Sequence, residues 1–453
     1  MRFDLAYLSV PLPEDVMKLK YYGDFERLNR VIDLKLQKDI PYTLKQRLLL
    51  EKEIIALWPR AYPHDEKEAL HRLQECFGEF SKEELDRLRD EDAVEWAYIN
   101  GEVHYKNNFL YNLIKTRPAF EKRRIHPPVP DADALKEQVL CGVIRKMKEE
   151  GRLSVFFHVR TEMKVSPVPG HENEEMTVNL PIPMEYAQVK NVRLLGCSHE
   201  NPVIAPPDFP QRTICMRGKC DQPFFVEYTF ENHMRYIEPE AQCVTPQQPT
   251  FYTEESAPHI LFTPYLRMLC EEIVGKEKNP LMKARRIYDF VTAKTIYSFM
   301  RSYITLPRIP EYCAASLKGD CGVLALLFIT LCRIAGVPAR WQSGVYIQPG
   351  HEGIHDWAQF YVSPYGWLFA DLSYGGSAYH HGNEEKRNFY FGNLDPFRMP
   401  ANAEFQHDFF LPSHHLRYDP YDNQDGEAEF EDMRVPIQNI DTTHKVLSWH
   451  WID

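Results

Sequence analysis

Over the first 125 residues apolar side chains recur at three- and four-residue spacing. Phe25–Asp39, Leu44–Trp58 and Glu66–Phe80 carry that rhythm, which gathers their apolar residues on one face of a helix. Ser81–Glu84 (SKEE) has the form of a capping box opening the next helix. The spacing predicts an α-helical region over 1–125, its charged faces turned to solvent, with no fixed-period repeat. A Pro-rich link, His126–Asp131 (HPPVPD), follows, then a helix over Asp133–Glu150 that ends near Gly151. From Leu153 the period changes to two. Ser154–Val165, Met176–Leu180, Val189–Leu195 and Phe224–Phe230 read as strands separated by Pro, Gly and Asn clusters. They predict an antiparallel β-sandwich reaching about Thr250. Helical spacing returns at Pro264–Val274 and Leu281–Thr295. At 453 residues the chain is too long for one ordinary core. Three parts are expected: the helical region over 1–125, the linker helix and sandwich over 126–250, and a last domain over 251–453.

Composition narrows the partners. Apolar residues make up 44% and charged residues 26%, the balance of a soluble globular protein. The longest central apolar run, Val323–Cys332, is far too short for a bilayer and is closed by Arg333. The N-terminal sequence has Asp4, no apolar h-region and no small-residue cleavage site, so it reads as no signal peptide and a cytoplasmic location is expected. A net charge of −12 argues against nucleic acid and against an anionic membrane as partner. Nothing in the pattern speaks to oligomeric state. The ten cysteines contain no C-x-x-C pair, and Cys215 and Cys220 fit no common zinc spacing. In a reducing compartment they read as free thiols, so a catalytic one has to be identified by its surroundings.

Several segments invite a metal reading and do not sustain it. His351–His355 (HEGIH) matches the zinc-peptidase pattern, which needs a helix to aim both imidazoles at one ion. Here it follows Pro349 and Gly350, contains Gly353 and runs into a strand, where the two histidines lie roughly 13 Å apart. In Asp419–Asp432 (DPYDNQDGEAEFED), aligning Gly426 with the glycine of a calcium loop puts Tyr421 where the first Asp belongs, so the segment reads as a solvated acidic loop. His380, His381, His414 and His415 lie in loop-like sequence and read as surface residues. No metal and no cofactor is expected.

Candidate chemistry lies between 316 and 376. In Ser316–Arg340 (SLKGDCGVLALLFITLCRIAGVPAR), Asp320 is placed to cap an apolar helix that runs to about Ala335, with Gly336 as its C′ residue and Pro338 as a stop. Cys321 falls on the first turn. Unpaired backbone N–H groups and the positive end of the helix dipole favour a thiolate there and can serve an oxyanion. Gly322 leaves room for a substrate backbone. By itself the pattern also fits a packed thiol, as assumed for Cys332. A strand, Trp341–Ile347, is followed by a turn and by the strand His355–Val362. His355, Trp357, Gln359 and Tyr361 share one face of it, and Asp356, Ala358, Phe360 and Val362 the other. After the turn Ser363–Gly366, the returning strand Trp367–Leu372 brings Asp371 back towards His355. A carboxylate there orients an imidazole that takes a thiol proton.

The order G-D-C before an apolar helix, G-V-P-A-R, H-D-W on a strand, a Y-G-W turn and an Asp resembles the core of the transglutaminase-like superfamily. The resemblance is close over about 110 residues, Ile287–Phe397. It implies an α+β fold: a transglutaminase-like, papain-like cysteine proteinase core, here preceded by the β-sandwich and the N-terminal α-helical region. It also implies a Cys-His-Asp arrangement with Cys321 as nucleophile, His355 as general base and then acid, and Asp371 orienting His355. The upstream oxyanion donor is not identified by motif; Tyr303 and Tyr312 are candidates. Trp357 and Tyr374 are candidates for lining a substrate groove. Asp356 stands where the family more often has a small residue, and its side chain is expected to face away from His355 in a structural role. The activity implied is a cysteine-dependent amide hydrolase acting through a thioester acyl-enzyme on a peptide or protein. Transfer to an amine, as in a transglutaminase, and a non-catalytic binding or scaffold module are the alternatives, and the zinc peptidase a third.

Overall fold

The computed structural model describes residues 4–126 and 131–452. The Pro-rich link therefore lies largely outside the described residues. The fold mixes helix and sheet throughout. Among the described residues no helix is long and apolar enough to cross a membrane.

The N-terminal region contains the expected helices, among them Phe25–Leu36, Tyr42–Ile55, Glu66–Phe77 and Lys82–Asp90. Asp24, Asp65 and Ser81 cap three of them by accepting first-turn N–H groups. The region is not purely helical, which corrects the expectation for 1–125. Trp96–Ile99 and Glu102–Tyr105 form a hairpin, and His64–Asp65 adds a third strand. The turn is Asn100 and Gly101, with φ of 52° and 81°. Two successive positive φ values give a turn whose twist suits paired strands, and Asn-Gly supplies them at little steric cost.

Two four-stranded antiparallel sheets follow. One runs in the order Ile440–Ile452, Arg152–Val165, Phe224–Arg235, Val189–Cys197. The other runs Glu427–Glu429, Met176–Pro181, Thr213–Gly218, Val203–Ile204. Val155, Phe157 and Val159 of the first share a core with Val178, Leu180 and Ile214 of the second, and the helix Asp131–Glu150 adds Leu140, Ile144 and Met147. Each sheet takes one strand from the C-terminal end of the chain, so the wiring does not stop near residue 250.

Between those strands the chain builds a five-stranded antiparallel sheet, ordered Phe391–Gly392, Gly366–Ala370, Gly353–Val362, Ala339–Tyr346, Arg398–Asn402. The helix Cys321–Ile334 packs on one face, with Phe328 edge-on to Phe360 at 5.9 Å. It is buried from Gly322 to Arg333, as an all-round apolar sequence requires. The opposite face meets the sandwich: Gln188 donates to Gln342 at 3.1 Å, and Asn232 to the Arg398 carbonyl at 2.7 Å. Helix, five-stranded sheet and sandwich share one continuous hydrophobic core.

Candidate active site

Cys321 opens the buried helix. Asp320 caps it, its carboxylate accepting the Val323 N–H at 3.3 Å, the Met300 N–H at 3.1 Å and the Tyr303 hydroxyl. Upstream, Ile296–Tyr297 pairs in parallel with Lys318–Gly319 and brings the Tyr297 phenol beside the thiol. Tyr303 thus belongs to the surroundings of Cys321. Tyr312 does not: it lies 5.5 Å from the guanidinium of Arg301, which pairs with Glu95 of the N-terminal region.

The half-buried Cys321 thiol donates to Asp356 Oδ2 at 3.2 Å. Asp356 Oδ1 in turn accepts from Gln424 at 2.6 Å. Asp422 completes the cluster, its carboxyl beside that of Asp356 and accepting the Ser343 hydroxyl, with Ser343 directly across the strand pair from Asp356. The space above Gly322 is already filled. A Cβ there would meet the Tyr303 hydroxyl at 2.4 Å, Asp356 Oδ2 at 2.7 Å and the Trp341 ring at 2.9 Å. Gly322 is therefore demanded by the close approach of these three side chains, and the room expected there for a substrate backbone is occupied.

On the other face of the same strand, His355 Nε2 meets Asp371 Oδ2 at 2.8 Å. The register explains the meeting. Ala358 pairs with Ala370, which sets Asp371 on the face of Trp357 and His355. Asp371 also ends the strand and caps the helix Leu372–His380, accepting the Tyr374 N–H at 2.9 Å. Arg398 reaches Asp371 at 3.0 Å and Asp395 at 2.6 Å from the edge strand. Among the described residues Cys321 and His355 share no hydrogen bond. The structure brings His355 to Asp371, and Cys321 to Asp356.

Electrostatics follow the same division. Burial pushes the Cys321 thiol well above its ordinary pKa, and the carboxylates of Asp356 and Asp320 push it further. Asp356 is pushed up to about 7 by burial and by Asp320. Burial also lowers the His355 imidazole, countered only in part by Asp371. For Asp371 burial works upward, but His355 and Arg398 outweigh it and hold the carboxyl below its usual range. The shifts of Cys321 and His355 favour the protonated thiol and the neutral imidazole.

One aromatic assignment changes. Trp357 is fully buried, with its indole N–H donated to Gln342 at 2.7 Å, so it lines no open groove. Tyr374 keeps part of its surface and packs edge-on to His355 at 5.1 Å, beneath the guanidinium of Arg398. The acidic segment Asp419–Asp432 is not a solvated loop. Tyr421, Asp422 and Asn423 are buried, and the segment delivers Asp422 and Gln424 to Asp356, the hydrogen-bond partner of Cys321. His380 lies on a helix and not in a loop. The five residues HEGIH pass from a turn into the strand that starts at Gly353, never forming the helix a zinc pair needs. Elsewhere His171, Glu174 and Asp432 hold ligand atoms within 4.8 Å of one another on the surface of the sandwich, an arrangement common among exposed acidic groups. Tyr297, Arg398, Asp422 and Gln424 were not anticipated; none sits in a local motif.

Residues 267–372 match the sequence model of the transglutaminase-like superfamily. The chain carries a transglutaminase-like domain. This domain spans the helices before Cys321, the Cys321 helix and the His355 hairpin as far as Leu372. An uncharacterized protein of Haemophilus influenzae is 22% identical over 245 residues, which cover 46% of this chain and 65% of that protein, just under two thirds of its length. Among solved structures, one titled a putative cysteine protease from Cytophaga hutchinsonii is 13% identical, with a TM-score of 0.43 over 67% of this chain and 91% of that one. The periplasmic domain of TgpA from Pseudomonas aeruginosa is 13% identical, with a TM-score of 0.28 over 54% of this chain and 94% of that one.

Proposed function

We propose that the transglutaminase-like domain is a cysteine-dependent amide hydrolase acting on a peptide or protein, with Cys321 as its nucleophile. The observation that carries this reading is the place of Cys321, the first residue of a buried, Asp-capped helix next to the strand that holds His355. The first-turn amides of such a helix point outward and suit the oxyanion of a tetrahedral intermediate.

His355 is the base and acid of this reading. Asp371 occupies Nε2, leaving Nδ1 as the ring atom that exchanges a proton. As the sulfur–carbon bond forms, the thiol proton passes to the imidazole and the carbonyl oxygen becomes the oxyanion. Collapse breaks the carbon–nitrogen bond, the imidazolium protonates the departing amine, and a thioester remains. Water then releases the acid and the free thiol. A primary amine in place of water would make the same thioester a transferase intermediate, the alternative reading.

The test is incubation of the chain with a peptide mixture, with and without a primary amine, read by mass spectrometry. Cleavage or deamidation is expected, lost in Cys321→Ala and reduced by roughly a hundredfold or more in His355→Ala. Cross-linked products confined to the amine arm would assign transfer. Products that persist in Cys321→Ala would end the reading, and no product in either arm would favour the scaffold alternative.

A further inference from the structure

The hydrogen-bond partner of the Cys321 thiol is a carboxylate, and that carboxylate is built in. Asp356 is buried, held on one oxygen by Gln424 at 2.6 Å, and its other oxygen accepts from the thiol at 3.2 Å. Gly322 next to the sulfur has no side chain to keep the carboxylate away, and a Cβ there would collide with Asp356 Oδ2 at 2.7 Å. The groups facing this pair are acidic or phenolic: Asp320 from the helix start, Tyr297 and Tyr303 from the segment before it, and Asp422 and Asp419 from the C-terminal loop. No lysine or arginine hydrogen-bonds Asp356 among the described residues.

We propose that Asp356 is a positioning residue that sets the protonation state of the nucleophile, holding Cys321 as a neutral thiol at rest through the Sγ–H···Oδ2 bond. The proposal rests on the reading of Cys321 as nucleophile. A thiolate beside a carboxylate is a like-charge pair, so the proton stays on sulfur until a base removes it during attack. The helix N-terminus alone would lower the thiol pKa; the carboxylate opposes it. A neutral thiol also resists peroxide and alkylating agents, since the thiolate is the reactive form. Cys321 is thus shielded between turnovers without being fully covered.

Iodoacetamide labelling across pH, followed on the Cys321 peptide by mass spectrometry, tests this in the full chain. Cys243 is exposed and serves as the internal reference. In the wild-type chain Cys321 should label more slowly than Cys243 at neutral pH. Asp356→Asn removes the charge at nearly constant shape. It should speed Cys321 labelling by at least about tenfold at pH 7, the equivalent of one pKa unit, and move the inflection to lower pH. Asp356→Ala removes the same carboxylate with a smaller side chain, should shift the profile in the same direction, and covers the case in which Asp356→Asn does not fold. A Cys321 profile unchanged in both variants would overturn the proposal, as would slower labelling in both. Failure of the nucleophile reading is separate: it shows as peptide products that persist in Cys321→Ala, whatever the labelling profile.

Discussion

Arg398 carries a guanidinium into the core with no exposed surface, between Asp371 and Asp395. Two carboxylates depend on it, and one of them orients His355. Removing one partner of a buried ion cluster leaves uncompensated charge, which costs about 3–5 kcal/mol. Arg398→Met should therefore lower unfolding stability by about that amount in urea titrations at pH 7. The pH dependence has a definite sign. A carboxyl held below its ordinary pKa contributes stability above its unfolded value, near 4, and loses it as pH falls through the folded value. The gap between wild type and Arg398→Met should be full near neutrality and should narrow as pH falls, as the stranded Asp371 carboxylate of the variant takes up a proton. At this scale the sequence is only partly legible. Cys321, His355 and Asp371 stand in local motifs, and period-two alternation puts Asp356 opposite His355. What alternation does not reveal is that the thiol lies against Asp356, because where a helix end meets a strand is a tertiary fact. Arg398, Asp422 and Gln424 arrive from a distant strand and from a loop whose composition suggests solvent.

The Cys321 helix and the His355 hairpin were readable as elements because their signals are local: an Asp cap, a Gly after the last turn, and alternation on either side of a Pro-Tyr-Gly turn. The helix Leu372–His380 was not. It contains Gly375 and Gly376, each costing about 1 kcal/mol relative to alanine in a helix interior, and its sequence reads as loop. Packing explains the first glycine. A Cβ on Gly375 would sit 1.9 Å from the Tyr288 hydroxyl and 3.2 Å from the Thr292 methyl, both on the neighbouring helix Pro280–Lys294. Gly375→Ala gains helix propensity but forces the two helices apart, and overpacking of this kind costs about 1–3 kcal/mol. Its thermal midpoint should fall below that of the wild type despite the better helix former. Because Asp371 caps this helix, the peptide hydrolysis proposed for this site should fall with it. A raised midpoint would mean that Tyr288 yields. The Asn100–Gly101 hairpin was missed for the opposite reason: its turn is a strong local signal inside a stretch dominated by helical spacing.

For the whole molecule the decisive element is the last strand. Ile440–Ile452 lies along Arg152–Val165 from Ile440 against Val165 to Ile452 against Ser154, although nearly the full length of the site separates them in sequence. Its alternation is visible in the sequence, but its partner is not, since contacts across some 280 residues leave no local trace; a boundary drawn near 250 follows from that. The strand also reaches the candidate site at two points. The Val446 N–H donates to Glu352 at 3.3 Å, on the turn that leads into the His355 strand. Trp449 and Trp451 pack against Phe397 at 6.1 and 6.3 Å, next to Arg398. Ending the chain at Asn439 would strip Arg152–Val165 of one of its two partners and leave a long apolar-faced strand at an open edge, which invites aggregation. It would also release both supports of the His355–Asp371–Arg398 cluster. The shortened chain should lose the cooperative melt seen by circular dichroism, bind a hydrophobic dye and lack the proposed peptide hydrolysis. A truncated chain that melts and turns over like the full one would show the strand to be an appendage, and would confine the site's supports to the sheet that bears it.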